Sequence, residues 1–381
     1  MNLPLAIGLV LLALSITGLI GIKMIRIPDL VLYILLGIAL KELLPESKVI
    51  EVAGEIGLVL LFFLLGMKFS VGEFARNGKR VWKAGLLDVL LGIGVTTLIC
   101  YLFDLNFLTC LIIAGIVYAT SSSMSAKLLE STNRMENRES DFMLSLLIFE
   151  DLVAPILVTV LIGLSGDGFT ATDFILIFLK VALLTGVAVF FSKIVFKKAQ
   201  ILLDKVTDDD VFIVLVIGIA LGYGGLALYL GLSEIIGAFL AGIMLADTQL
   251  KDKIKDEVLP VRNIFLPFFF LHFGITMELT KNIPSIELLF LLLIWSIIHK
   301  LIVGYVGGKW YGLSGKEALQ GGISLTPRGE FSVIIAGLAT GGLKVFAGMY
   351  ILVAALVGML LFQFAPKITK LFYRKAEKVD D

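Results

Sequence analysis

The chain has 381 residues, of which 58% are hydrophobic and 17% charged, and its mean hydropathy is +1.00. Such values exclude an ordinary soluble domain and describe a chain that crosses a membrane many times. The 32 basic and 32 acidic residues cancel, so no net charge recruits a nucleic acid, and two cysteines imply neither a disulfide framework nor a metal site.

A hydrocarbon core about 30 Å thick takes roughly 20 apolar residues of helix, with a range of about 17–25. On that measure thirteen segments follow one another: 3–22, 28–45, 52–70, 81–103, 107–130, 141–164, 172–198, 209–228, 232–247, 262–278, 284–308, 316–341 and 347–371. The first opens MNLPLAIGLV without the basic flank of a signal peptide, so it is expected to stay as a membrane helix. The chain ends soon after the thirteenth, which leaves no expectation of a soluble regulatory domain.

The basic residues are distributed unevenly. Of the 32 Lys and Arg, about 25 follow odd-numbered segments or lie in the C-terminal tail, and about four follow even-numbered ones. Lys180, Lys300 and Arg328 lie inside segments. Positive loops face the cytoplasm, so the C-terminus is expected inside, the N-terminus outside, and the protein in the plasma membrane.

Two motifs recur. LLFFLLGMKFS (60–70) echoes FFFLHFGITME (268–278), and LYILLGIAL (32–40) echoes AFLAGIMLA (238–246). Both offsets are about 205–210 residues. Six helices return a chain to its starting side, and a seventh reverses the next six. The expected architecture is an all-α polytopic membrane protein of about thirteen transmembrane helices built as an inverted-topology repeat. The repeats span 1–171 and 209–381, with 172–208 as connector.

Inverted repeats place their sites on broken helices at matching positions near the midplane. Segment five contains YATSSSMSAK, in which Thr120, Ser121, Ser122 and Ser123 interrupt the apolar run. Segment twelve contains ISLTPRGEFS, with Pro327 and Gly329 in mid-segment. Serines also join helices without any ligand, but here the symmetry mate is broken too.

Between them lies LLIFEDLVAPIL, with Glu150 and Asp151 adjacent and Pro155 four residues on. Glu150 is nine residues into its segment, about 14 Å deep at 1.5 Å per residue. A charge at that depth costs roughly 2.5–3.5 kcal/mol even on the lenient insertion scale. Pro155 has no N–H, so the Asp151 carbonyl loses its helical donor. Asp151 thereby offers a carboxylate and a carbonyl, both hard oxygen ligands for a small cation.

Lys300, equally deep in IIHKLIVGY, is the expected counter-charge of Glu150, which leaves Asp151 to exchange ions. His299 beside it reads as a packed or interfacial side chain. Arg328 and Glu330 are charge partners in the second break, pairing with each other or with the ion.

These motifs resemble, in order and spacing over essentially the whole chain, those of the cation:proton antiporter-2 family, the Kef-type potassium and sodium–proton exchangers. GLVLLFFLLGMKFS, SSSMSAKLL, LLIFEDLVAPIL, GLSEIIGAFLAGIMLA, FFFLHFGITMEL and TPRGEFSVI each find a counterpart there. The resemblance implies thirteen helices with two crossed, discontinuous ones in a transport core of about 52–164 and 262–341. The remainder would serve as a dimerisation scaffold, giving a homodimer in the lipid bilayer. It implies that Asp151 binds Na⁺ or K⁺ in competition with H⁺, that Lys300 is the buried lysine, and that Thr120–Ser123 and Thr326–Glu330 are the crossed elements.

Two departures follow. Potassium-efflux members often have Gln before the aspartate and many sodium exchangers a second Asp, whereas this chain has Glu150. Efflux members also commonly carry a cytoplasmic nucleotide-binding domain, so any regulatory subunit here is expected to be a separate chain. No cofactor motif is present, and no nucleophile–base set supports an enzyme. A cation channel would need repeated filter carbonyls, and an organic-anion symporter a roomier polar cavity than this Leu/Ile/Phe-rich core suggests.

Overall fold

The computed structural model describes residues 3–21, 29–44, 48–68, 81–165, 171–191, 209–246, 248–277 and 283–376. Among them are fifteen helices and no strand. In chain order these are α1 (Leu3–Ile20), α2 (Asp29–Leu40), α3 (Lys48–Gly66), α4 (Val81–Tyr101), α5 (Phe107–Tyr118), α6 (Ser122–Ser131), α7 (Arg138–Leu164) and α8 (Ala171–Phe190). There follow α9 (Asp209–Tyr229), α10 (Glu234–Leu245), α11 (Lys251–Ile275), α12 (Ile286–Tyr311), α13 (Gly315–Ser324), α14 (Glu330–Gly337) and α15 (Gly341–Ala376).

Helices satisfy their backbone polar groups locally, which hydrocarbon requires. Seven are long and apolar enough to cross a membrane: α3, α4, α7, α9, α11, α12 and α15. The chain is an all-helical, multi-pass membrane protein.

Each of the thirteen expected segments holds a helix, and two hold two. Segment five divides into α5 and α6 around 119–121, and segment twelve into α13 and α14 around 325–329. The end of segment seven, the connector beyond 191, and the echoed residues 69–70 and 278 lie outside the described residues.

Two compact units form. One comprises 1–32, 77–154 and 277–381, the other 33–76 and 155–276. The expected core overlaps the first over 77–154 and 277–341, and the second over 52–76, 155–164 and 262–276.

The first unit is centred on a cluster that includes Phe142, Leu146, Val303, Leu325 and Phe362. Its helices begin and end on local signals. Asn106 Oδ1 accepts from Thr109 N (2.9 Å) to start α5, and Ser314 with Glu317 forms a capping box at α13. Gly312, at φ 100°, turns the chain between α12 and α13 in the left-handed region that glycine tolerates. Both α4 and α12 widen into π-helical stretches, Leu90–Val95 and Val303–Gly307, and each follows a buried charge, Asp88 and Lys300.

In the second unit small residues let helix backbones meet, the usual solution where lipid supplies no hydrophobic drive. A side chain at Gly66 of α3 would strike Phe239 and Gly242 of α10, and one at Gly37 of α2 would strike Leu271 and Gly274 of α11. The echoed motifs therefore pack crosswise, each against the counterpart of its neighbour.

Candidate functional site

Both breaks form where the backbone cannot continue as helix. Thr120 and Ser121 compete for backbone bonds, and Pro327 disfavours helix at Thr326. The two exposed backbones then satisfy each other. Ser121 N donates to the Pro327 carbonyl (2.9 Å), and Thr120 Oγ1 donates to the Leu325 carbonyl (3.3 Å). Ser121 Oγ donates to Glu330 Oε2 (2.6 Å) and accepts from Met124 N (3.2 Å), which caps α6. Ser332 Oγ donates to the Ile116 carbonyl (2.8 Å) at the end of α5. Gly329 lies so close to Ser121 that a side chain there would occupy the serine's position.

The charges gather beside these breaks. Lys300 Nζ donates to Asp88 Oδ1 (2.8 Å), Asp88 Oδ2 (2.9 Å) and Glu150 Oε1 (3.1 Å). Its ammonium also sits 5.3 Å from the centre of the Tyr118 ring. Glu150 Oε2 accepts from the backbone N–H of Thr120 (2.9 Å), so the carboxylate ties the lysine to the first break. Arg328 Nη1 donates to Thr120 Oγ1 (3.2 Å) and Nη2 to the Ser296 carbonyl (3.2 Å). Asp88, Lys300 and Arg328 are wholly buried, and Glu150 and Asp151 nearly so, at 2% exposure.

Thr120, Ser121, Glu150, Lys300, Arg328 and Glu330 are thus joined by hydrogen bonds within one unit, with one difference from the sequence-based reading. Lys300 is shared between Glu150 and Asp88, and Asp88 takes both shorter bonds. The signal for Asp88 was legible as a lone carboxylate in the apolar run LLDVLLG, under the same energetic argument as Glu150. Arg328 donates to Thr120 and to the Ser296 carbonyl, and Glu330 accepts from Ser121, so both side chains join the second break to its surroundings. His299 is buried, with Nε2 3.4 Å from Asp88 Oδ1.

Asp151 follows Glu150 on α7, and Pro155 lies within the same helix. Ser122 is buried at the first turn of α6, and the side chain of Ser123 lies outside the described residues. Nothing among the described residues forms a His/Cys/Asp/Glu metal cluster. What the arrangement offers is a buried set of oxygens, carboxylates and a break lined by hydroxyls and backbone groups, suited to a monovalent cation or a proton.

Comparison with known proteins places these features in context. Residues 10–375 match the family model described as sodium/hydrogen exchanger, transmembrane. The chain is 53% identical to the ammonium/H⁺ antiporter subunit AmhT of Alkalihalophilus pseudofirmus, across 97% of this chain and 95% of that one. It is 31% identical to the K⁺/H⁺ antiporter subunit KhtU of Bacillus subtilis, across 90% and 85% respectively. The sodium proton antiporter MjNhaP1 of Methanocaldococcus jannaschii shares the fold, with a TM-score of 0.72, 19% identity, and coverage of 96% of this chain and 97% of that one.

Proposed function

Because the chain belongs to the sodium/hydrogen exchanger transmembrane family, of the cation:proton antiporter-2 type, we propose that Asp151 is where the transported cation and a proton compete. The protein is a monovalent cation/proton antiporter, a transporter rather than an enzyme. The observation that carries the assignment of Asp151 is its burial: it is a carboxylate only 2% exposed in an apolar helix, and it follows Glu150, whose Oε2 accepts from the backbone N–H of Thr120 at the first break. Competition for one carboxylate couples the two fluxes, since the site carries either ion but not both.

Ammonium and K⁺ are the favoured cations. The identity to a relative named for ammonium extends over nearly the whole chain, and the next relative is named for K⁺. Both relatives are named as subunits, which supports a separate partner chain, in addition to a homodimer. The thirteen-span reading has α5/α6 and α13/α14 as crossed, discontinuous helices. The crosswise glycine contacts support repeats over 1–171 and 209–381, joined by 172–208. The charge distribution supports an N-terminus outside and a cytoplasmic C-terminus. The transport core is about 52–164 and 262–341.

The test is exchange in proteoliposomes, with NH₄⁺, K⁺ and Na⁺ supplied in turn across a pH series. Wild type is expected to move protons on addition of cation, and Asp151→Asn to fold and insert yet lose exchange. An Asp151→Asn protein exchanging near the wild-type rate would remove the assignment.

A further inference from the structure

Away from the ion-binding residues, a second polar cluster is built around Arg134, in the turn between α6 and α7. Its guanidinium is buried, with the side chain 7% exposed. Burial pulls this group below its ordinary pKa, and the Glu139 carboxylate opposes that shift. A buried arginine in a turn needs an explanation, because charged groups are seldom enclosed without partners.

The partners come from three elements. Arg134 Nη2 donates to Ser324 Oγ (3.0 Å), the last residue of α13 before the second break. It also faces Glu139 Oε1 at 3.5 Å. Nη1 donates to the Phe362 carbonyl (3.4 Å), and the guanidinium carbon lies 4.9 Å from the centre of the Phe362 ring. That carbonyl is available for a reason readable in the sequence. Pro366 sits four residues later inside α15 and has no N–H to give it. Arg134 supplies the donor that the proline removed.

Glu139 in turn accepts from Asn137 Nδ2 (2.9 Å) and Gln320 Nε2 (2.6 Å), and Gln320 Oε1 accepts from Thr369 Oγ1 (3.1 Å). The network joins the α6–α7 turn to α13 and α15. It also brackets the floor of the second break. Gly358 of α15 is packed directly against Pro327, and Thr326 Oγ1 reaches the Gly358 carbonyl (3.4 Å), one helical turn before Phe362. The next residue after Ser324, Leu325, gives its carbonyl to Thr120 in the first break.

We propose that Arg134 is a positioning residue for the exchange site. Its guanidinium fixes the end of α13 against the freed carbonyl of Phe362, and so sets where the 325–329 break meets Thr120 and Ser121. Arg134 touches neither ion. It acts through Ser324 and α15, and the proposal rests on the exchange reading above. A planar fork can bond Ser324 and Phe362 together, and a lysine ammonium keeps the charge but not that geometry.

The experiment is proton exchange driven by potassium or ammonium chloride in proteoliposomes. It compares wild type, Arg134→Lys, Ser324→Ala and the double variant, with melting temperatures measured in parallel. Displacing a positioning contact is expected to raise the apparent KM for cation about tenfold in Arg134→Lys, with a shifted pH profile. Ser324→Ala removes one hydroxyl and no charge, so it carries the test if Arg134→Lys does not fold. It should raise KM in the same direction, and the double variant should be no worse than Arg134→Lys, because both remove one contact. Melting temperatures that fall with KM and pH profile unchanged would overturn the inference and leave exchange intact. A wild-type chain without cation-driven proton flux would overturn the exchange reading and this inference with it.

Discussion

Asp88 and Lys300 stand 212 residues apart in the chain, yet the Lys300 ammonium lies 2.8 and 2.9 Å from the two Asp88 oxygens, with both side chains wholly buried. The same ammonium reaches Glu150 at 3.1 Å, so three charges form one cluster. Buried charges are expensive to desolvate and tolerable only together, and removing one partner of a buried pair costs about 3–5 kcal/mol.

The cluster orders the effects of its variants. Lys300→Met strands two carboxylates and should be the most destabilising, by about 3–5 kcal/mol or more. Asp88→Asn should follow, and Glu150→Gln should cost least, because Lys300 keeps Asp88. A simple two-membered bridge would let the double change Glu150→Gln/Lys300→Met recover nearly all the loss. Here Asp88 would remain buried without its lysine, so recovery should be partial. Thermal melts of the detergent-solubilised variants check the order. Full recovery in that double variant would mean that Asp88 does not share the lysine.

Voltage separates two roles for Glu150. If it serves as counter-charge to Lys300 and Asp151 alone titrates, one cation exchanges for one proton and no net charge moves. Exchange by wild type should then be insensitive to an imposed membrane potential. Measured flux that changes with potential in wild type, and ceases to do so in Glu150→Gln, would make Glu150 a carrier of transported charge.

Gly329 tests the contact between the breaks. A side chain there collides with Ser121, whereas one at Gly337 of α14 meets nothing within 4 Å. Overpacking a buried contact costs roughly 1–3 kcal/mol. Gly329→Ala should therefore lose both stability and exchange rate, and Gly337→Ala should behave as wild type. Equal activity in the two variants would show that the breaks need not meet this closely.

Orientation is open to labelling. Single cysteines placed at 204–208, between α8 and α9, and at 278–284, between α11 and α12, should react with an impermeant thiol reagent from opposite sides of the membrane. The native Cys100 and Cys110 are buried, so their background is expected to be low. Labelling of both positions from one side would break the inverted repeat.

What could be read from residues alone had a local or additive physical cause. Apolar length marks helices because a bilayer has a fixed thickness, and basic loops mark sides. Thr120–Ser123 and Pro327–Gly329 marked the breaks, since backbone preference acts within a few residues. Glu150, Asp151 and Lys300 stood out because an isolated charge in an apolar helix is costly wherever that helix goes. Partnership was not local. Asp88 carried the same cost signal, but only the packing of α4 against α12 decided that it, and not Glu150 alone, takes Lys300. Arg134 looked like one more basic residue of a loop. Its burial depends on a carbonyl freed by Pro366, 232 positions later, and on the place where α13 ends. Sequence thus determined which groups could not be left bare in the membrane, and the tertiary structure alone decided which of them meet, because hydrogen bonds and ion pairs act only over the few ångströms that folding closes.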